Sequence, residues 1–442
     1  MLQTNSLKSL YFKTLATKPP RLDIPKRFNS NKITKPLEGI RVLELGQLVA
    51  GPFCGSILGY YGAEVIKIEP PHIGDPLRIW RNLDQDGQST WSRSLSRNKK
   101  SVCIDLRTQE GRQLIKRLAN ESDVLIENFK PGTMEKWGLG PEDIYPTNPK
   151  LIYTRISGYG QTGPYSKRPG YASVCEGMGG FRFINGHSGQ PPVRPNMSLG
   201  DSLAGLHAAL GVLLGLVAKN KLGQAQAERT GQVVDVAIYE SMLNMMEGVI
   251  PEYDRFNQIR QPSGTTVTGI VPTNTYPCND GKHVIIGGNG DSIYVRLMNA
   301  IGRSDLTGEK YKVNADRVKH QLVIDGAIAA WTSDHTTDQV LKVMEEASVP
   351  AGKIYDAKDI IEDEHVIARG MVQDVTIGSK EDGRGWNLKI PGMSPVMGTT
   401  PGSTEWAGPD LGSHTDEVLM GLLGLTRSEI EELETSGITK PK

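Results

Sequence analysis

Between residues 40 and 127, short runs of β-branched and other apolar residues alternate with stretches in which apolar positions recur every three or four residues. The runs at 40–45, 64–69, 101–106 and 123–127 predict strands, and the periodic stretches at 53–61 and 108–119 predict helices. Further strands are expected at 151–157 and 232–237. Between them lies a helix over 202–218, in which Leu203, Leu206, Leu210, Leu213, Leu214 and Val217 recur at helical spacing, and another helix follows from Ile238. Strands separated by helices of about 10–15 residues predict a mainly parallel sheet covered on both faces, the doubly wound α/β class. From 251 to 277 the pattern turns loop-rich. A strand at 283–287 and amphipathic stretches at 293–301 and 321–331 then predict a smaller, α-rich unit over about residues 240–345. From Val349-Pro350-Ala351-Gly352 the chain returns toward the first unit and ends in a helix over 416–423. No internal repeat is visible.

In open sheets of this kind ligands bind beyond the carboxyl ends of the strands, in loops that lead into helices. The first such loop, Gly46-Gln47-Leu48-Val49-Ala50-Gly51-Pro52, lacks the glycine spacing of a dinucleotide fingerprint. Arg97-Asn98-Lys99-Lys100 reads either as a phosphate-holding patch or as solvated surface. Glu127-Asn128-Phe129-Lys130-Pro131-Gly132, with Lys136 beyond it, offers a flat apolar contact and two cations. Gly287-Gly288-Asn289-Gly290-Asp291 reads either as a tight turn or as a flap over a ligand. Asp201 stands at the N-terminal end of the helix over 202–218, where unpaired amides and partial positive charge favour an ionised carboxylate. Gly200 before it permits close approach of a ligand or another chain. On position alone Asp201 reads first as a capping residue.

Charge and cysteine content narrow the partners. The 442 residues carry 50 basic and 50 acidic side chains, with a pI near 7.1, which gives no electrostatic case for nucleic acid or an anionic membrane. Cys54, Cys103, Cys175 and Cys278 lie far apart and form no CxxC pair, which argues for free thiols rather than a zinc site or a disulfide framework. The longest apolar run, 203–218, is shorter than the ~20 residues a bilayer requires, and His207 within it reads as a satisfied core residue. The first 22 residues contain Lys8, Lys13, Lys18 and Arg21 without Asp or Glu. That is the make-up of a mitochondrial transit peptide, or else of a disordered basic tail. Removal somewhere around 20–35 would leave a matrix protein starting near Pro36.

The motifs combine into a pattern. Leu37-Glu38-Gly39-Ile40-Arg41-Val42-Leu43-Glu44, Ala50-Gly51-Pro52, Gly62-Ala63-Glu64-Val65-Ile66-Lys67-Ile68-Glu69, Asn128-Phe129-Lys130-Pro131-Gly132, Gly158-Tyr159-Gly160, Gly200-Asp201, Gly231-Gln232-Val233-Val234-Asp235-Val236, Val349-Pro350-Ala351-Gly352 and Leu411-Gly412-Ser413-His414-Thr415 follow one another in order. In that order and spacing the chain resembles the class III CoA-transferases, the family of formyl-CoA transferase and carnitine CoA-transferase, over almost everything from Pro36 to Leu419.

The resemblance implies a large Rossmann-like CoA-binding domain over 36–239, a small domain with a mobile glycine loop over 240–345, and a return to the large domain over 346–442 after the leader at 1–35. It also implies an interlocked homodimer. The family's catalytic aspartate falls on Asp201. Coenzyme A, a substrate as its thioester and not a permanent cofactor, is expected against Val49, Ala50, Arg97, Asn98, Lys99, Asn128, Phe129, Lys130, Lys136 and Tyr171, with Gly287, Gly288 and Gly290 forming the glycine loop. Two positions depart from the formyl-CoA enzymes, which carry glutamine at Val49 and glutamate at Ala172.

The implied reaction passes CoA from an acyl-CoA donor, succinyl-CoA, to a small carboxylic or dicarboxylic acid through an aspartyl anhydride and an aspartyl-CoA thioester. A carboxylate suits this chemistry because an anhydride stays reactive enough to pass CoA on, whereas a serine ester would be a sink. Arg194 reads either as a partner for the acceptor's carboxylate or as surface. Two alternatives share the fold. An α-methylacyl-CoA racemase needs two bases, and its Gly-His-Asp motif falls on Gly170-Tyr171-Ala172, where both ionisable groups are missing. A non-catalytic acyl-CoA-binding protein would have no need of Asp201.

Overall fold

The computed structural model describes residues 35–222, 230–378 and 385–439. Apart from Lys35, the expected leader lies outside the described residues. Strands β1 (Arg41–Glu44), β2 (Glu64–Glu69), β3 (Lys99–Cys103), β4 (Val124–Glu127), β5 (Ile152–Ser157) and β6 (Gln232–Ala237) form one sheet in the order β3-β2-β1-β4-β5-β6. Every pairing in it is parallel. This is the doubly wound order of the Rossmann fold, with its switch point between β1 and β4.

Successive strand residues point to opposite faces, and each face has its own core. Val42, Val65, Val124 and Ile152 pack with the helix Ala50–Tyr60 and the inner side of the helix Leu199–Asn220. Leu43, Ile66, Leu125 and Tyr153 pack with the helix Gln109–Asn120 and with the C-terminal helices Thr415–Leu423 and Arg427–Thr435.

The helix Leu199–Asn220 faces the sheet differently from its leucine periodicity. Gly200, Ala204, Gly205, Ala208, Ala209, Val212, Gly215 and Leu216 are buried, whereas Leu206, Leu210, Leu214 and Val217 are exposed, Leu214 by 60%. The cause is close approach. A β-carbon on Gly205 would stand 2.7 Å from the Ala50 carbonyl oxygen, and one on Gly211 2.4 Å from Val234 Cγ1. The helix has 22 residues, and an 18-residue window of it has a mean hydropathy of 1.6, so by length and composition alone it could cross a bilayer, while its inner face belongs to the core of the sheet. His207 on it is half-buried, and its Nδ1 has no hydrogen-bond partner among the described residues, so it is not the satisfied residue that was expected.

The smaller unit has its own antiparallel sheet of β7 (Thr273–Pro277), β8 (His283–Gly287) and β9 (Ala351–Lys353). Helices Asp291–Ala300, Gln321–Ser333 and Thr337–Glu346 close over it, around a core running from Val271 to Val349. Ile238, at the head of the helix Ile238–Leu243, belongs to the core of the large sheet. The small core therefore begins later than residue 240, and its sheet ends beyond residue 345. A further antiparallel pair, β10 (Val372–Ile377) and β11 (Trp386–Pro391), precedes the C-terminal helices.

Candidate active site

A cavity of about 340 Å³ opens beyond the carboxyl ends of β1, β4 and β5, and its walls include Val49, Ala50, Asn128, Phe129, Lys130, Tyr171 and Asp201. This is the crevice at the topological switch point. A second cleft of about 190 Å³, beyond β1, β2 and β3, shares Gln47 and Phe129 with it.

Hydrogen bonds hold the rim. Leu48 adopts φ +63°, and its amide donates to both carboxylate oxygens of Asp75 at 3.1 Å. Asp75 is buried and paired with Lys67 at 2.9 Å, and Lys67 also donates to the Gly46 carbonyl at 2.9 Å. Gln47 donates its amide to Asn128 Oδ1 at 2.8 Å and accepts from Asn128 Nδ2 at 2.8 Å, which joins the loops on the two sides of the switch point. Glu127 accepts the Phe129 amide at 2.8 Å while Arg155 binds its other oxygen at 2.7 Å.

Asp201 lies in the first turn of its helix, behind Ser198 at the cap position, so it is not the capping residue that its sequence position suggested. Its carboxyl is pushed up to about 6, first by burial and then by the neighbouring charge of Glu176, against the opposing pull of Arg194. At pH 7 such a group is ionised in roughly nine molecules of ten. Glu176, wholly buried, accepts the Gly200 amide at 3.3 Å and Arg182 Nε at 3.2 Å. It also stands 3.7 Å from Arg194 Nε. Gly200 packs tightly here, since a β-carbon would sit 3.1 Å from Ile238 Cγ2, 3.3 Å from Ala172 Cβ and 3.4 Å from Glu176 Cγ. Cys175 beside it donates to the Gly158 carbonyl at 3.2 Å. Burial, Asp201 and Glu176 push its thiol up to about 11, which leaves it protonated at neutral pH.

The expected residues divide into four groups. Val49, Ala50, Asn128, Phe129, Lys130, Tyr171 and Asp201 meet at the cavity. Lys136 is exposed and lies outside the cavity wall; neither it nor Lys130 has a carboxylate partner among the described residues.

Arg97, Asn98 and Lys99 are a correction: all three are buried and their side chains bind protein. Arg97 donates to the Ser94 and Pro391 carbonyls at 2.9 and 2.6 Å. Asn98 fastens the 403–406 segment through Ser403, Glu405 and Trp406. Lys99 reaches Glu44 at 2.8 Å and the Pro52 carbonyl at 2.6 Å. The strand begins at Lys99 rather than at Ser101, which turns an apparent basic loop into interior.

Gly287, Gly288 and Gly290 lie in the small unit, and the walls of the Asp201 cavity in this chain do not include them. The Gly287 amide bonds Pro350 and the Gly288 amide bonds Pro272, both at 2.9 Å. Buried Arg317 holds the Asn289 carbonyl at 2.7 Å. Sequence reasoning missed Glu176, Arg182 and Asp75, whose roles depend on contacts outside their own local pattern.

The CoA-transferase family III model matches residues 37–415. The succinyl-CoA–D-citramalate CoA-transferase of Chloroflexus aurantiacus is 45% identical over 93% of this chain and 100% of its own length. The human succinyl-CoA:glutarate CoA-transferase is 31% identical over 91% and 90% respectively. A solved CaiB/BaiF family protein from Brucella suis superposes with a TM-score of 0.76 at 29% identity, covering 88% of this chain and all of the other. Enzymes of this family take the CoA thioester as a substrate and hold no permanent cofactor. The chain belongs to the family III CoA-transferases.

Proposed function

We propose that this enzyme moves CoA from succinyl-CoA to a small dicarboxylic acid, with Asp201 as the nucleophile. The observation that carries this reading is a largely buried carboxylate, raised to about 6 yet ionised at neutral pH, in the wall of the switch-point cavity. The named substrates of the relatives, succinyl-CoA with citramalate or glutarate, support the substrate class.

Asp201 attacks the thioester carbonyl, the C–S bond breaks, and a succinyl-aspartyl anhydride and CoA thiolate form. The thiolate attacks the aspartyl carbonyl and releases succinate, leaving an aspartyl-CoA thioester. The acceptor carboxylate attacks that thioester to give a new anhydride and thiolate. Attack of the thiolate on the acceptor's acyl carbonyl then yields the product thioester and restores Asp201. Burial of Asp201 limits access of the water that would hydrolyse either anhydride. CoA lies against Val49, Ala50, Asn128, Phe129 and Tyr171, and Lys130 and Lys136 supply cations for its phosphates.

Mass spectrometry of the Asp201 peptide after succinyl-CoA and then hydroxylamine tests the mechanism. Modification at Asp201 is expected, together with a loss of transfer by several orders of magnitude in Asp201→Asn. Trapping only at another residue, such as Glu240, rejects it.

The homodimer reading is supported by apolar surface that a single chain leaves uncovered. Leu206, Leu210, Leu214 and Val217 are exposed, and the helix Val249–Phe256 buries no residue while exposing Ile250, Tyr253 and Phe256. Large apolar side chains left exposed along two helices are the kind of surface that a second copy would cover. Sedimentation as a monomer at micromolar concentration would remove this reading. Import into mitochondria rests on the acid-free basic N-terminus; an uncleaved N-terminus on protein isolated from cells would count against it.

A further inference from the structure

Beside Asp201, and outside the switch-point cavity, two guanidinium groups share one carboxylate. Glu176 has no exposed side-chain surface, whereas Arg182 is 26% exposed and Arg194 45%. Arg182 binds Glu176 through Nε and the Ser173 carbonyl through Nη2 at 3.3 Å. Arg194 meets Glu176 only through Nε, at 3.7 Å. Its two terminal nitrogens, the fork that grips a carboxylate bidentately, have no partner among the described residues.

The charges here depend on the state of Asp201. With Asp201 ionised, two positive groups face two negative ones. As an anhydride or thioester Asp201 is neutral, and one positive charge is left over. A substrate that brings a second carboxylate restores the balance in the intermediates; a monocarboxylic acyl group cannot.

We propose that Arg194, backed by Arg182 and held with it by Glu176, is the subsite for the remote carboxylate of the dicarboxylic substrate, in the acyl donor and the acceptor alike. This rests on Asp201 as the nucleophile. The reacting carboxyl group meets Asp201, and the far one, separated by a short methylene chain, meets the Arg194 fork. Selection for dicarboxylic acids then resides in a group that interacts with Asp201 and lies apart from the residues facing CoA.

The test compares glutarate with pentanoate, which keeps the chain length and lacks the remote carboxylate, as acceptors from succinyl-CoA. Wild type is expected to favour glutarate. In Arg194→Met the ratio of kcat/KM for glutarate to that for pentanoate falls roughly 10–100-fold, the loss of a charged bidentate contact, and most of the change appears in the glutarate KM. Arg194→Lys, which keeps the charge without the fork, falls between. Because Arg194 is half-exposed, the variants should melt with wild type, and Arg182→Met gives a second measurement of the same ratio. An unchanged ratio in Arg194→Met, or equal loss on both acceptors, overturns the subsite and leaves the nucleophile standing. Wild type that transfers CoA to no dicarboxylic acid and shows no trapping at Asp201 overturns the reading beneath it as well.

Discussion

The Gly200 amide donates to Oε1 of Glu176 at 3.3 Å, which fixes a wholly buried carboxylate beside the residue that precedes Asp201. Burial first, and Glu176 second, push Asp201 up to about 6. In the proposed mechanism the ionised form is the active one, so kcat/KM should fall on the acid side with a limb near pH 6. Glu176→Gln removes one of the two causes and should move that limb to lower pH. A profile measured between about pH 5 and 8 decides it, and an unmoved limb in the variant excludes Glu176 as a cause.

Stability should carry the same signature with a defined sign. Folding raises Asp201 from 3.8 to about 6, so the folded state holds this proton more tightly than the unfolded one. The stabilisation linked to that proton is complete below about pH 4 and is lost as pH rises through about 6. Asn carries no such proton, and Ser198, not Asp201, occupies the cap position. Asp201→Asn should therefore match wild type near pH 4 and exceed it at pH 7 by about 1–3 kcal/mol. Urea unfolding at both pH values measures the difference; a variant less stable at pH 7 contradicts the assignment.

The sheet was legible because its strands are apolar runs and its helices carry a periodic face, both local patterns. The loops at Val49 and Asn128 stood out because they sit where strand gives way to helix, and Asp201 because it stands at the start of a long helix. Lys99 was misread because a buried lysine looks in sequence like any other; only Glu44, far away in the chain, makes it interior. The Leu206-Leu210-Leu214 stripe shows the opposite limit, since apolar spacing reports a surface to be covered without saying what covers it. Glu176 left no pattern at all, because its meaning lies in two arginines and one amide.

Gly55→Ala tests the buried charges under the rim. A β-carbon there would stand 1.9 Å from Glu44 Oε2, the oxygen that binds Lys99. Glu44 also holds Lys67 at 3.1 Å, so displacing it leaves buried cations short of their partner. Loss of roughly 3–5 kcal/mol is expected, read as a shift in the urea midpoint; a change below about 1 kcal/mol would show that the cluster relaxes freely.

Asn128 is the link between the two rim loops. Asn128→Ala removes both bonds to Gln47, one given and one received at 2.8 Å, and leaves Leu48 at its positive φ with only Asp75 to hold it. The loops pack tightly at this point, since a β-carbon on Gly46 would lie 3.1 Å from Gly51 Cα and 3.2 Å from Asn128 Oδ1. Freed of the link, the cavity wall at Val49 and Ala50 should spread. Stability should fall by about 1–3 kcal/mol, the cost of unpaired backbone groups, while KM for the acyl-CoA rises and trapping at Asp201 survives at saturating substrate. Asn128→Asp keeps the acceptor for the Gln47 amide but loses the donor to its carbonyl, and it adds a negative charge beside Lys130, where the phosphates of CoA are proposed to lie. Its KM should therefore rise further than that of Asn128→Ala, and more at low salt than at high. Equal acyl-CoA KM values in wild type and both variants would mean that the switch-point cavity is not where CoA binds.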